Sequence, residues 1–433
     1  MLSETENNRL SSAGLGTPGG ALLRKYWQPV ALVEELDDER PALCVTVLGE
    51  TYVLFRDERG RYGLLDRHCP HRGADLSYGR LEDGGLRCVF HGWLFDVDGQ
   101  CLEQPAEPPQ SRLHERIVQA AYPCRAINGV IFSYLGADEA PALPELDCFT
   151  APQSHSFAFK GLLQCNWMQA LEVGIDPAHA SYLHRFLCDE DTSAGYGRQF
   201  RSGTALTDIP LSQLLRDFPR PNIVVQNTLY GLRLVALREL NTESTHVRVT
   251  NLLFPHAIVI PMSDAMTITQ WHVPIDDRSC YWYAMFTSFS EPVDRQQMRS
   301  QRLELYSLPD YAPRIGRHNN YGFDAHDQRT RTYTGMGDDI NVHDQWAVES
   351  MGALQDRSKE HLAHSDVGIR AFRQQLTRAI DQCELNVGEL ICDHVDASLQ
   401  PLAVDAIGAS QDWETCWRTV EQLRRAATPW LQS

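Results

Sequence analysis

Two short Cys/His pairs constrain this chain more than anything else in it. Cys69-x-His71 is followed, after sixteen intervening residues, by Cys88-x-x-His91. Thiolate and imidazole bind borderline and soft metals, so two such pairs on two loops form a four-ligand site. Two metals suit it. A structural zinc takes Cys2His2 in a closed tetrahedron. A two-iron, two-sulfide cluster takes two Cys on one iron and two His on the other. Zinc fingers order their ligands Cys-Cys then His-His, whereas each pair here supplies one of each. Pro70 and Gly73 beside one pair, and Gly92 beside the other, help the loops pack tightly around a cluster. Four unrelated core residues are the plain alternative.

The other cysteines do not extend the pattern. All twelve are scattered along a long chain, so a disulfide scaffold is not expected and most read as small buried hydrophobes. The 433 residues suit two or three domains. Lys and Arg number 39 against 57 Asp and Glu, a net charge of −18. That surplus argues against nucleic acid or an anionic membrane surface as partner. No apolar run reaches the roughly 18–20 residues that span a bilayer. The opening MLSETENNRL reads as neither a secretory nor a transit peptide, and a cytoplasmic protein is expected.

Residues 43–56 and 62–65 read as strands separated by tight turns, and 41–145 as a small all-β domain. The Pro-rich stretch 141–152 marks its boundary. Residues 164–184 read as helix, break, helix. From 222 to 290 long strand candidates return, enough for a broad antiparallel sheet. Residues 292–307, 366–383 and 411–427 carry helical periodicity. The expected fold is α+β: an N-terminal segment 1–40 packed on the larger domain, the β domain, and a domain 146–433 whose sheet is flanked by helices in a helix-grip-like arrangement.

A second constellation lies at 176–184. His179 and His184 diverge by about 140° on an ideal helix, so they converge only if the helix is irregular, and Pro177 supplies the break. Two imidazoles and a carboxylate form the facial triad of non-haem Fe(II) oxygenases. Asp324, Asp327, Asp338, Asp339, Asp344 and Asp356 are the possible third ligands. Asp176, three residues before His179, is placed to accept that ring's N–H; a helix cap is the bland reading.

CPHRGADLSYG followed by CVFHGWLFDVDG resembles the Rieske domain of aromatic-ring oxygenases, and TPGGALLRKYWQPV and CLEQPAEPP resemble its phthalate-dioxygenase branch. NWMQALE before Asp176, His179 and His184, and ESMG and DRS after Asp344, resemble the same family, although His343 stands where Gln is usual. The resemblance implies a terminal oxygenase. Cys69, His71, Cys88 and His91 would hold a Rieske [2Fe–2S] cluster. His179, His184 and Asp344 would hold mononuclear Fe(II), with Asp339 the fallback. Asp176 would carry electrons between subunits, meeting His91 of a neighbour. It further implies O2 as co-substrate, NADH acting through a flavin/[2Fe–2S] reductase, and a homotrimer or hexamer.

An apolar strand face, Tyr230, Leu232, Leu234 and Ala236, ends in Arg238, which suits an aromatic ring bearing a carboxylate. Arg201 is a second candidate. Trp271, Trp282 and Phe286 could line the pocket or simply pack the core. The function expected is mono- or dioxygenation of an aromatic carboxylate of the phthalate or benzoate type, including O-demethylation. A non-aromatic substrate, a Rieske electron carrier and a zinc-stabilised binding protein are the alternatives.

Overall fold

A computed structural model describes residues 2–37, 39–188, 209–263, 265–388 and 400–432. The chain divides into two compact units. The larger comprises Met1–Ser12, Pro144–His272 and Asp277–Ser433; the smaller comprises Ala13–Leu143 and Val273–Asp276. Of the first 40 residues, only the opening twelve therefore group with the larger unit. Residues 13–40 group with the β unit because the strand Trp27–Leu32 pairs with Val130–Tyr134.

The smaller unit is built from short antiparallel strands. Ala42–Val47, Glu50–Arg56, Tyr62–Asp66 and Ala121–Tyr122 form one four-stranded sheet. Arg80–Glu82, Gly85–Arg87, Leu94–Phe95 and Cys101–Glu103 form a second. Val53, Phe55, Leu65, Leu76, Leu86, Trp93 and Phe95 fill its core, and Cys69, Cys88 and Cys101 belong to the same cluster.

The larger unit centres on an eight-stranded antiparallel sheet. Its strands run in the order Ser156–Leu163, Cys280–Ser288, Met266–Pro274, Ala257–Ser263, Ser244–Leu253, Gly231–Glu239 and Asn222–Thr228, with Val404–Ala409 paired to Ser244–Leu253. One edge of Ser244–Leu253 is shared. Asn251–Leu253 pair with Ala257–Val259, while Ser244–Val249 pair with the C-terminal strand. The sheet thus splits there.

Alternation sorts the two faces of the sheet. Val247 and Val249 point to one face, where they pack with Val404, Ala406 and Trp417 of the helix Trp413–Ala427. Arg248 and Thr250 point to the other, which carries the cavity. Burial on both faces explains why these strands read as nearly continuous apolar runs.

Candidate metal centres and substrate cavity

The two cysteine loops of the smaller unit share one geometry. Cys69 donates its N–H to Ala74 and accepts from Gly73 N–H at 2.8 Å; Cys88 donates to Trp93 and accepts from Gly92 N–H at 2.9 Å. Both glycines sit at φ +79°, which closes each five-residue turn without a Cβ penalty. The histidine is the third residue of the first turn and the fourth of the second. His71 stacks on Trp93 at 4.4 Å and meets His91 edge-on at 4.4 Å.

Cys69 and Cys88 are buried and unbridged. Burial pushes the Cys69 thiol up to about 11, and Cys88 beside it adds to the rise. A bound metal would draw Cys69 back to the thiolate at neutral pH. The Nδ1 atom of His71 is buried with no hydrogen-bond partner, as a metal-ligating nitrogen would be without its metal. Among the described residues, the one group of three or more ligand atoms drawn within 4.8 Å of one another is a different one. The paired donor set, one Cys and one His on each turn, fits a two-iron cluster with two Cys on one iron and two His on the other.

That tighter group is His179, His184 and Asp344, in the larger unit. The Nε2 atoms of the histidines lie 3.2 Å apart, and Asp344 Oδ1 lies 3.7 Å from His179 Nε2 and 3.2 Å from His184 Nε2. The local chain explains the convergence. The helix Trp167–Gly174 ends before Asp176-Pro177; a single turn, Ala180–Leu183, follows, with His179 capping its start and His184 leaving the helical range at its end. Asp344 lies mid-helix in Ile340–Ser350, and the cap of that helix is Asp339, which accepts from Asn341 N–H at 2.8 Å.

Buried polar residues clamp the two ligand-bearing segments together. Gln169 donates to the carbonyls of Val348 and Gly352, each at 2.8 Å, and its own oxygen accepts from Gln355 N–H. Glu349 accepts from Gln164 N–H at 2.9 Å and from the Tyr321 hydroxyl at 2.8 Å. Glu172 accepts from Arg357 and Arg373, and Arg357 also donates to Asn7 of the first helix. The NWMQALE and ESMG residues are therefore struts around the site.

The triad's electrostatics suit a cation. Burial, then neighbouring His184, keeps His179 below its ordinary value and hence neutral. Burial works to raise Asp344, but His184 and His179 outweigh it and hold the carboxyl below the usual range. The Nδ1 atom of His184 and Oδ1 of Asp344 are buried with no hydrogen-bond partner. Perpendicular bonds of about 2.1 Å put ligand atoms about 3 Å apart, close to the spacings here. His179 Nδ1 donates to the main-chain carbonyl of Asp176, not to its carboxylate. The carboxylate instead accepts from Ala178 N–H at 2.8 Å and lies 4.0 Å from His179 Nδ1.

A cavity of about 220 Å³ opens on the triad. Its floor is the sheet, through Arg248, Thr250, Ile258, Ile260, Gln270 and His272, with Trp282 and Phe286 beside them. Trp271, of the other parity, faces away and stacks on Phe149. Arg238 is not in the lining. It is buried beneath the turn that carries His179 and His184, donating to Phe218 O at 3.1 Å, Pro177 O at 3.2 Å and Ser181 Oγ at 3.3 Å. Arg201 lies outside the described residues. Two guanidinium residues line the cavity among the described residues, Arg248 and Arg302, and sequence reasoning missed both. Arg302 lies over the Phe286 ring, while Arg248, on the sheet floor, donates to Asp405 and, at 3.0 Å, to Pro261 O, bridging the strands that diverge at the split.

Comparison with known proteins places these two sites in one family. Residues 26–123 match the Rieske [2Fe-2S] domain, and residues 133–429 match the LigXa C-terminal domain like family. The chain is 32% identical over 384 residues to the tert-butanol monooxygenase / tert-amyl alcohol desaturase oxygenase subunit of Aquincola tertiaricarbonis, spanning 86% of this chain and 76% of that one. It is 32% identical over 398 residues to the phthalate 4,5-dioxygenase oxygenase subunit of Pseudomonas putida, spanning 88% and 86%. The crystal structure of dicamba monooxygenase bound to dicamba shares the fold, with TM-score 0.56, 19% identity, and coverage of 84% of this chain and 99% of that one. The chain belongs to the Rieske non-haem iron oxygenases, as an oxygenase subunit.

Proposed function

We propose that this oxygenase acts on a small aromatic carboxylate seated in the cavity over His179, His184 and Asp344. The carrying observation is the cavity itself: largely apolar walls opening directly on the triad, with the Arg248 guanidinium on the sheet floor and Arg302 also in the lining. In this reading His179, His184 and Asp344 hold Fe(II), which supplies open coordination positions for O2, and Cys69, His71, Cys88 and His91 hold the [2Fe–2S] cluster.

The chain's own residues then do the following. The Asp176 carbonyl holds the His179 proton on Nδ1, which leaves Nε2 as a lone-pair donor. Ile258, Ile260, Trp282 and Phe286 hold the ring and exclude water. Arg248 takes the carboxylate, with Asp405 fixing its plane. Asp176 joins the two centres, its carbonyl on His179 Nδ1 and its carboxylate free to meet His91 of the partner subunit, so the working unit is a ring of three chains or a pair of rings. Electrons come from NADH through a flavin/[2Fe–2S] reductase.

The test is a panel of phthalates, benzoates, methoxybenzoates and small tertiary alcohols, offered with NADH and a reductase to the Fe(II)-loaded protein. Oxygenated aromatic acids are expected, and an Arg248→Gln variant should raise KM about tenfold or more while kcat changes less. Product analysis distinguishes dihydroxylation, hydroxylation and O-demethylation. Turnover of the alcohols with no aromatic acid consumed would move the substrate to the aliphatic class.

A further inference from the structure

The segment after the second ligand loop holds a buried amide that the fold leaves unsatisfied. Gln104 is only 7% exposed, yet neither its Nε2 nor its Oε1 has a hydrogen-bond partner. Leaving a buried amide without partners is costly, so such a group calls for one.

The surroundings say which partner. Arg87, next to Cys88, donates to Gly92 O at 2.7 Å and pairs with Glu103 at 2.6 Å, drawing residue 103 against the ligand loop. Pro105 packs on Gly92 so closely that a Cβ there would meet its ring at 2.6 Å. Glu107 N–H closes a turn onto Gln104 O, which fixes the backbone carrying the amide. The thiol of Cys101, in the same core cluster as Cys69, Cys88 and Trp93, neighbours the Gln104 side chain but gives its proton to Glu103 O at 3.6 Å, and a thiol sulfur is only a weak acceptor for the amide. The amide N–H2 end needs an acceptor, and the sulfurs of an iron–sulfur cluster are acceptors that carry negative charge.

We infer that the Gln104 side-chain amide donates a hydrogen bond to a sulfur of the [2Fe–2S] cluster and raises its reduction potential. The reduced cluster carries one more negative charge than the oxidised one, so the donor stabilises it more. The inference rests on Cys69, His71, Cys88 and His91 being the cluster's ligands.

The experiment is an EPR-monitored redox titration of the full-length, cluster-loaded protein against Gln104→Leu, which keeps the volume and removes both polar ends. Acid-labile sulfide and g-values report the ligand set; the midpoint reports the hydrogen bond. With sulfide and g-values unchanged, the variant should be about tenfold harder to reduce, a midpoint about 59 mV more negative. An unchanged midpoint in a fully loaded variant overturns the inference. Pulsed EPR of the reduced wild type, with 15N in the glutamine side-chain amides, decides independently of whether the variant assembles. A weak nitrogen coupling supports the bond, and none overturns it. A wild type without acid-labile sulfide would overturn the ligand assignment itself, and the inference with it.

Discussion

Individual side chains in this protein divide into those that face a metal position and those that hold them there. Asp344 belongs to the first group, with its buried Oδ1 lacking a hydrogen-bond partner and lying 3.2 Å from His184 Nε2. Asp344→Ala should lose the mononuclear iron and keep the cluster, so that iron falls by about one per chain while sulfide is unchanged. Retention of full iron would remove Asp344 from the ligand set. Arg238 belongs to the second group. Burial lowers its guanidinium to about 10, still charged at neutral pH, and its donors end on Phe218, Pro177 and Ser181. Arg238→Met strands those acceptors, so it should cost about 3 kcal/mol and weaken iron retention. Calorimetry and iron analysis check this. Once the variant is reloaded, its substrate KM should stay near wild type; a large rise would return Arg238 to the substrate site.

At the scale of elements, the helix Ile340–Ser350 separates two carboxylates five residues apart in the chain. Asp339 caps the helix and Asp344 faces the cavity one turn further on, beside Ile340, Asn341, Gln345 and Val348 of the same face. Asp339→Ala should cost about 1 kcal/mol as a lost cap and leave the iron in place, a combination that thermal denaturation and metal analysis separate cleanly from the Asp344 variant. The split of the sheet makes a second prediction. Burial works to raise Asp405, but His246 and Arg248 outweigh it and bring it to about 2, below its ordinary 3.8. A depressed carboxyl stabilises the fold above its unfolded value and loses that contribution as pH falls. Asp405 should therefore contribute about 2 kcal/mol at neutral pH that vanishes between about pH 4 and 2. The acid limb of stability should be shallower in Asp405→Asn over that window; an identical limb would mean that the pair contributes nothing there.

For the molecule as a whole, the two centres belong to separate compact units with different access. Cys69 and Cys88 are 2–3% exposed, whereas His179, His184 and Asp344 line a cavity. A ferrous chelator should accordingly remove about one iron per chain and leave the visible cluster spectrum intact, and added Fe(II) should restore the lost iron. Bleaching of the cluster before iron leaves the triad would reverse that order. No helix among the described residues is long and apolar enough to cross a membrane.

What the sequence determined by itself is what lies close along the chain. The Cys-x-His and Cys-x-x-His turns close within five residues, so spacing alone announced them. The break at Pro177 likewise predicted that His179 and His184 could converge. Alternation puts Leu234 and Ala236 on the cavity side of the sheet, where Leu234 pairs with Thr250 and Ala236 with Arg248, although neither lines the cavity. Alternation cannot say which strand of that face is left uncovered. Helix Val367–Leu385 closes over Leu234 at Gly368, so the open floor begins one strand further on, with Arg248. Its partner Asp405 lies 157 residues away, and Asp344 lies 160 or more from the histidines it meets. Such pairings depend on packing between distant segments, and local spacing carries no signal for them. The family resemblance had set Asp344 ahead of Asp339; that Asp344 meets both histidines, and that Arg248 rather than Arg238 reaches the cavity, was decided by the tertiary structure.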